Sequence, residues 1–290
     1  MLNLQDLVLF NTVVQEGSFT RAAQTLNLTQ PAVSKRIQAL EEALGTPLLE
    51  RLPRRIELTE AGRVLHARCR HILREVENTT LAIRNLSQHV QGILKLATSH
   101  HIGIHYLPGV IRDLHSAFPD IRFDLHFMTS EQSAQAVLAG EVELALCTLP
   151  AEVRPPLEAS LIWDEKLVFV AGREHPLHEV EGLSLSHLVG QPNILPSRET
   201  YTFQRVAECF EAQGLTLSPG TPANFIETIR ALVEVNLGWS VLPAFMAKEN
   251  IQQLPLKEGA ISRPLGVLMD ARRTRSSVAR AFLEALQVNR

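Results

Sequence analysis

One stretch limits what this chain can fold into more than any other: Thr29-Gln30-Pro31-Ala32-Val33-Ser34-Lys35-Arg36-Ile37-Gln38-Ala39-Leu40-Glu41-Glu42. Its grammar is that of a helix. Thr29 suits an N-cap, and Pro31 in the first turn lacks only an N–H that the helix would leave unused. Val33, Ile37, Leu40 and Leu44 recur at spacings of four and three, which draws one apolar stripe. Gln30, Ser34, Lys35 and Gln38 fall on other faces, crowded toward the N-terminal end, and Gly45 stops the helix. A helix with polar and cationic groups at its N-terminal end and an apolar back is a shape the major groove of DNA accepts.

The flanking residues supply the rest of a reading module. Leu4, Leu7, Val8, Phe10, Val13 and Val14 give a first helix an apolar face, and Gly17 ends it. Ser18 caps a second helix, Phe19 to Leu26, in which Ala22 and Ala23 are small enough for a close helix crossing. The connection Asn27-Leu28 is as short as a helix-turn-helix requires. After Gly45, Leu48 to Thr59 reads as two short strands around a turn bearing Arg51, Arg54 and Arg55. Such a basic wing can contact phosphates or enter the minor groove. A three-helix domain with a merely solvated basic turn is the bland alternative, but helix, wing and charge agree on DNA.

Charge makes the same point. The whole chain of 290 residues has a net charge of −3, so affinity for a polyanion has to be local. Between Thr20 and Arg70, nine basic side chains face five acidic ones, which leaves the remainder acidic. The three cysteines, Cys69, Cys147 and Cys209, are widely spaced and odd in number, so no disulfide framework is indicated. No signal peptide and no membrane-spanning apolar run is visible, and the expected compartment is a reducing cytoplasm.

From Ala61 to about Val90 the sequence has no proline. Leu65, Cys69, Ile72, Val76, Thr79, Ile83 and Leu86 alternate at four and three, a coiled-coil seam about three heptads long. A single such helix would expose its seam, so pairing with a second copy is expected, and packing on its own domain is the alternative. Two half-sites per dimer would also multiply a modest DNA affinity.

Gly92 opens a different texture. Ile93 to Ala97 reads as a strand, Ile104 to Ala117 as a helix, Ile121 to Met128 as a strand, Glu131 to Ala139 as a helix and Leu144 to Thr148 as a strand. That order predicts a parallel sheet. Leu161 to Trp163 and Lys166 to Ala171 read as two strands leading into a second alternation. There, Pro192 to Pro196, Thr221 to Phe225 and Trp239 to Leu242 are strands, and Tyr201 to Gln213, Glu227 to Val235 and Ala244 to Glu249 are helices. A late strand, Gly266 to Met269, and a helix, Ser276 to Leu286, return to the first lobe. Two lobes joined by crossing strands enclose a cleft. Ligands in open α/β sheets bind beyond the strand carboxyl ends, where helix N-termini present N–H groups. The rule nominates Thr98, Ser99, His100 and His101, then Thr129 and Ser130, then Thr148, and in the second lobe Ser197, Thr200 and Thr202. Hydroxyls and free N–H groups suit a carboxylate, sulfate or other small oxyanion, although each hydroxyl also reads as a plain helix cap.

The run Ser18-Phe19-Thr20-Arg21-Ala22-Ala23, Thr29-Gln30-Pro31-Ala32-Val33-Ser34, Leu40-Glu41-Glu42-Ala43-Leu44-Gly45, Leu48-Leu49-Glu50-Arg51 and Leu58-Thr59-Glu60-Ala61-Gly62 resembles the LysR-type transcriptional regulators. The resemblance implies a winged helix-turn-helix reader over 1–62, a linker and dimerisation helix over 63–90, and an effector domain over 91–290. That domain would share its two-lobed α/β architecture with periplasmic solute-binding proteins, with lobe I about 91–163 and 266–290 and lobe II about 164–265. It implies DNA contacts from Thr29, Gln30, Pro31, Ser34, Lys35 or Arg36 in the reading helix and from Arg51, Arg54 and Arg55 in the wing. It also implies a homodimer or a tetramer of two dimers, contact with RNA polymerase, and a small effector rather than a cofactor. Ser99, His101, Thr148 and Thr202 match positions that line the effector cleft. The His100-His101 pair departs from the smaller residues common there, and Leu49 stands where phenylalanine is usual.

Three other readings are weaker. His100, His101 and His105 invite a metal, but adjacent histidines project in different directions, and no neighbouring Cys or carboxylate cluster completes tetrahedral spacing. No metal is therefore expected. Cys147 and Cys209 have apolar neighbours and no mark of a low-pKa thiol. No Gly-rich phosphate loop, Gly-x-Ser-x-Gly elbow or His-Glu-x-x-His pair occurs, so an enzyme is not expected.

Overall fold

The computed structural model describes residues 2–288 except 53–54, 86–88, 218–219 and 258, and the side chains of Arg51, Leu52, Arg55 and Arg84 are likewise outside the description. The chain forms two compact units, Met1–Ser87 and Gln88–Arg290.

In the first unit, α1 (Leu4–Glu16), α2 (Phe19–Thr25) and α3 (Gln30–Leu44) precede a two-stranded antiparallel wing, β1 (Leu49–Leu52) and β2 (Arg55–Leu58), and a 25-residue helix, α4 (Glu60–Arg84). Local signals set the boundaries. Ser18 accepts a hydrogen bond from the Arg21 N–H, and Gly17 and Gly45 close their helices with φ of +61° and +70°, which glycine adopts without strain. Thr29 stands at the N-cap of α3, but its side chain makes no cap bond. Phe10, Val13, Ala22, Ala23, Val33, Ile37, Leu40, Leu48 and Leu49 form the core. Leu9 belongs to it, whereas Leu4 and Val8 are exposed, and Leu44 is 37% exposed, so the α3 stripe is three residues long. Leu49 fills core space, a packing role.

Two contacts fix the wing. Glu41 Oε1 accepts from the backbone N–H of Leu48 at 2.7 Å and of Leu49 at 3.1 Å, which ties β1 to α3. At the root of α4, a Cβ built on Gly62 would lie 2.0 Å from the Leu48 carbonyl oxygen. Only glycine permits that approach. Further along α4, Cys69 is buried and its thiol donates to the Leu7 carbonyl at 3.2 Å. The early seam is thus spent inside this unit, against α1, while Ile72 and Val76 are each 41% exposed and Ile83 is 64% exposed. Helix α4 ends at Arg84 rather than near Val90, and Leu86 lies outside the described residues.

The second unit contains β3 (Gly92–Thr98), α5 (His100–His105), α6 (Leu107–Ala117), β4 (Ile121–Phe127), α7 (Ser130–Ala139), β5 (Leu144–Thr148), β6 (Leu157–Gly172) and α8 (Leu185–Leu188). It continues through β7 (Ile194–Leu195), α9 (Tyr201–Glu211), β8 (Thr221–Pro222), α10 (Ile226–Glu234), β9 (Ser240–Pro243), β10 (Ile251–Gln253), β11 (Ile261–Asp270) and α11 (Ser277–Val288). β3 pairs in parallel with β4 and β5, as the alternation predicts. The two expected strands around residue 165 are one, β6, which runs antiparallel to β11 for ten residue pairs. One seven-stranded sheet results, in the order β10-β6-β11-β5-β3-β4 with β9 on β6. Its two ends carry separate apolar cores: Leu94, Ile102, Leu114, Val267 and Phe282 at one, and Leu167, Phe169, Phe210 and Trp239 at the other. These are the two lobes, and β6 and β11 are the crossing strands. The helix after β3 begins at His100, capped by Ser99, and breaks at Tyr106 before Pro108. The expected helix at Ala244 shrinks to a 3-10 turn, Ala244–Met246, followed by Glu249 at φ +62°.

Replacing Gly62 by alanine should destabilise the first unit by about 1–3 kcal/mol, the usual range for overpacking. Urea titration followed by far-UV circular dichroism measures it, and an unchanged midpoint would show that α4 can move off Leu48 freely.

Candidate reading surface and ligand cleft

The reading helix divides cleanly. Val33, Ile37 and Leu40 are buried against α1 and α2, while Thr29, Gln30, Pro31, Lys35 and Gln38 are exposed and Ser34 is half-buried. Arg36 points elsewhere: its Nη2 donates to Asp6 Oδ1 at 2.7 Å and its Nε to the same oxygen at 3.2 Å. It braces α3 on α1, so Lys35 is the cation that this face presents. Arg54 lies outside the described residues, as do the side chains of Arg51 and Arg55.

In the second unit a cavity of about 290 Å³ opens between the lobes. Ser99, His100, His101, Thr129, Ser130, Thr148, Thr200 and Thr202 all line it. Thr98 does not: it is buried in the sheet, and its hydroxyl donates to the Leu146 carbonyl at 2.9 Å. Ser197 is absent from the lining too, and its N–H donates to the Asn224 side chain. The hydroxyls of Ser99, Thr129 and Thr200 accept from N–H groups of their own helices, so the cap reading and the cleft reading hold together. Three helix N-termini, those of α5, α7 and α9, border one cavity. The last is already satisfied across the cleft, because the Tyr201 N–H donates to Glu131 Oε1 at 2.7 Å. His100 sits between Phe127, 5.0 Å away and stacked, and Phe225, 4.8 Å away and edge-on.

Beneath the cleft lies a buried polar cluster that the motif reading missed. Glu165 and Arg263 are cross-strand partners on β6 and β11. Glu165 Oε2 accepts from Arg263 Nε at 2.9 Å and from Arg263 Nη2, and Oε1 accepts from Tyr106 Oη at 2.6 Å and from His101 Nε2 at 2.7 Å. Arg263 also reaches Thr202 Oγ1 at 3.4 Å. Burial alone would raise the Glu165 carboxyl, but the His101 hydrogen bond, the Arg263 charge and the Tyr106 hydroxyl hold it down at about 2. An ionised carboxylate only accepts, so Nε2 is the His101 nitrogen that donates to it, and Nδ1 faces the other way, toward Glu227. A signal was present in the strand: Glu165 shares a face with Trp163, Leu167 and Phe169 at period two. Glu131, Asn224, Phe127 and Phe225 were also unread, since nothing local marks them.

One expectation, that no metal-ligand set is present, meets a new observation here. Histidines 101 and 105 lie four apart, and Glu227 from α10 brings a carboxylate to them, so among the described residues these three could hold a metal ion. The sequence hid this because 122 residues separate His105 from Glu227. Burial first, then the neighbouring His101, lowers the His105 pKa against the pull of Glu227. The thiols, in contrast, follow their apolar surroundings: burial pushes Cys69 up to about 11 and Cys147 to about 12, and also raises Cys209. No described helix is long and apolar enough to cross a membrane.

Comparison with known proteins supplies the family and the fold. Residues 87–289 match the family described as LysR substrate binding domain, and residues 4–63 match the bacterial regulatory helix-turn-helix protein, lysR family. The RuBisCO operon transcriptional regulator of Allochromatium vinosum is 30% identical over 83% of this chain and 79% of its own. An uncharacterised helix-turn-helix regulator from the ibpB-leuC intergenic region of Azotobacter vinelandii is 52% identical over 37% of this chain and 74% of its own. The crystal structure of full-length CbnR complexed with its target DNA covers 100% of both chains at 22% identity with a TM-score of 0.64, a likeness of fold.

Because the folded Glu165 pKa lies below its ordinary 4.5, the cluster adds stability above that value and loses it as pH falls toward about 2. Both tryptophans, Trp163 and Trp239, lie in the second unit, so their fluorescence reports its unfolding alone. Glu165→Gln should cost about 3–5 kcal/mol at neutral pH, as for a broken buried pair, and the difference from wild type should narrow between pH 4.5 and 2. A penalty independent of pH would mean that packing, not charge, is what Glu165 supplies.

Proposed function

The chain belongs to the LysR family of transcriptional regulators, and from that premise we propose that it reads an interrupted palindrome in promoter DNA and is switched by a small anion bound between its lobes. Residues 1–62 act as the reader, 63–90 as linker and dimerisation helix and 91–290 as the effector domain, in the cytoplasm. The exposed N-terminal face of α3 supports the DNA assignment. Thr29, Gln30, Pro31, Ser34 and Lys35 meet base edges and phosphates, and Arg51, Arg54 and Arg55 flank them from the wing. The exposed Ile72, Val76 and Ile83 on α4 need a partner, and a second copy of the same helix supplies one, which sets two readers on two half-sites. A tetramer of two such dimers would span a longer, bent site and contact RNA polymerase.

The anion reading rests on Glu131. Its carboxylate already accepts from the N–H of Tyr201 at the head of α9, so the cleft has a place that an oxyanion satisfies. An effector carboxylate or sulfur oxyanion takes over that N–H together with the hydroxyls of Ser99, Thr129, Ser130, Thr148, Thr200 and Thr202. It changes output only by binding one arrangement of the lobes and subunits more tightly than the other.

Footprinting on the promoter upstream of the regulator's own gene should reveal two protected half-sites, with affinity falling steeply as salt rises. The double variant Ser34→Ala, Lys35→Ala should bind roughly ten- to a hundredfold more weakly; wild-type binding by it would remove α3 from the interface. In the same assay, a panel of carboxylates and sulfur oxyanions should contain at least one that alters the wild-type footprint and not that of Ser99→Ala. A footprint changed only by uncharged molecules would overturn the anion reading.

A further inference from the structure

The polar groups beside the cleft do not all find partners. His101 Nδ1 is buried without a hydrogen bond, on a residue only 4% exposed, and the buried Glu227 Oε1 has only a long contact to His105. A buried polar atom left unmatched is costly, so His101 Nδ1, facing a spot it shares with Glu227 Oε1, calls for an occupant. His105 Nε2 faces the same spot, 3.4 Å from Glu227 Oε1, while His101 Nδ1 lies 4.0 Å from that oxygen. All three atoms lie within 4.8 Å of one another. Ligands bonded at about 2.0–2.2 Å to one tetrahedral ion stand about 3.4 Å apart, so a small inward adjustment closes the shell.

We propose that His101 Nδ1, His105 Nε2 and Glu227 Oε1 bind a first-row divalent cation, zinc foremost, which pins helix α5 of one lobe to helix α10 of the other. An ion pair between His105 and Glu227 would leave His101 Nδ1 unmatched; a metal satisfies every atom of the set. The surroundings have the character of a metal site. His101 Nε2 donates to Glu165, itself locked by Arg263 and Tyr106, and such a carboxylate–histidine contact orients a ligand and raises its basicity. The ring of Phe245 stacks on His101 at 6.0 Å and meets His105 edge-on at 5.1 Å, which gives the site an apolar wall. Two imidazoles and one carboxylate select zinc, nickel or cobalt over magnesium or calcium, which prefer oxygen alone. Three protein ligands leave the fourth position to water or a small anion. Since the ligands come from both lobes, metal occupancy biases their closure, and it does so whether or not the oxyanion reading holds.

The test uses full-length protein freed of metal with a chelator and dialysed against zinc, with cobalt(II) as the visible probe. Wild type should retain one zinc per chain and show cobalt absorption bands typical of low coordination number. His105→Ala and Glu227→Gln should each weaken zinc at least about tenfold while keeping wild-type circular dichroism. His105→Cys should keep the ion and add a thiolate-to-cobalt charge-transfer band, a signature that no folding defect can imitate. Failure of wild type to retain zinc from micromolar solution would overturn the proposal. So would zinc retained equally by the double variant His105→Ala, Glu227→Gln, or a cobalt spectrum unchanged in His105→Cys.

Discussion

The second unit depends on one carboxylate. Glu165 sits where β6 and β11 cross from lobe to lobe, and it accepts from a guanidinium, an imidazole and a phenol. Taking such a charge out of water costs several kcal/mol, which close and complete pairing must offset. That pairing has geometric consequences. It fixes Arg263 as a cross-strand partner, sets the donating nitrogen of His101, and draws α5 against the strands that both lobes share. The guanidinium of Arg263, half consumed by Glu165, reaches onward among the described residues to Thr202. The cleft therefore gets its polarity chiefly from hydroxyls and helix N-termini, with the strongest local cation already neutralised underneath it.

The first unit applies the opposite logic, keeping its charges outside and its contacts tight. Ala22 and Ala23 let α2 pack closely, Gly62 lets α4 start against the Leu48 carbonyl, and Glu41 reaches from α3 to the wing's backbone. These three small devices fix the orientation of α3 relative to the wing. Arg36, which by sequence could as well have joined the exposed cations, is instead turned inward on Asp6. A reading surface requires rigidity of this kind, because side chains that read base edges must not pay again for their ordering.

What the sequence made legible follows from how local its causes are. The three N-terminal helices, the wing and the β-α-β-α-β order were readable because caps, glycines and periodicity act over a few residues. Eight of the ten nominated cleft residues line the cavity for the same reason, since strand ends and helix starts fall together in this class of sheet. Thr98 failed because it is the last residue of β3, still paired in the sheet, and its side chain turns back into the sheet to the Leu146 carbonyl. Glu165 was half legible, as a charge on the inward face of an apolar strand. Glu227 was illegible. Its meaning comes only from α10 arriving beside α5, a pairing between distant segments that no local pattern encodes. The long seam of α4 was read as uniform, yet its first part is used by Cys69 against α1 and only its later part is left for a partner.

The large apolar cores stay separate within each lobe, and polar bridges are among the contacts that cross between the lobes near the cleft. Glu131 reaches the head of α9 and Glu227 approaches His105, beside ring contacts of His100 with Phe225 and of His101 with Phe245. An apolar interface would close in proportion to area and resist fine adjustment. A polar one is balanced against water, so each bridge contributes little net free energy and a modest ligand can outbid it. Both polar bridges also end on a group that a small ion could hold in its place: an N–H and an imidazole. On the proposed reading, such bridges let a small ligand set the closure of this unit, which is the condition a sensor must meet if binding is to shift a population and not merely fill a hole.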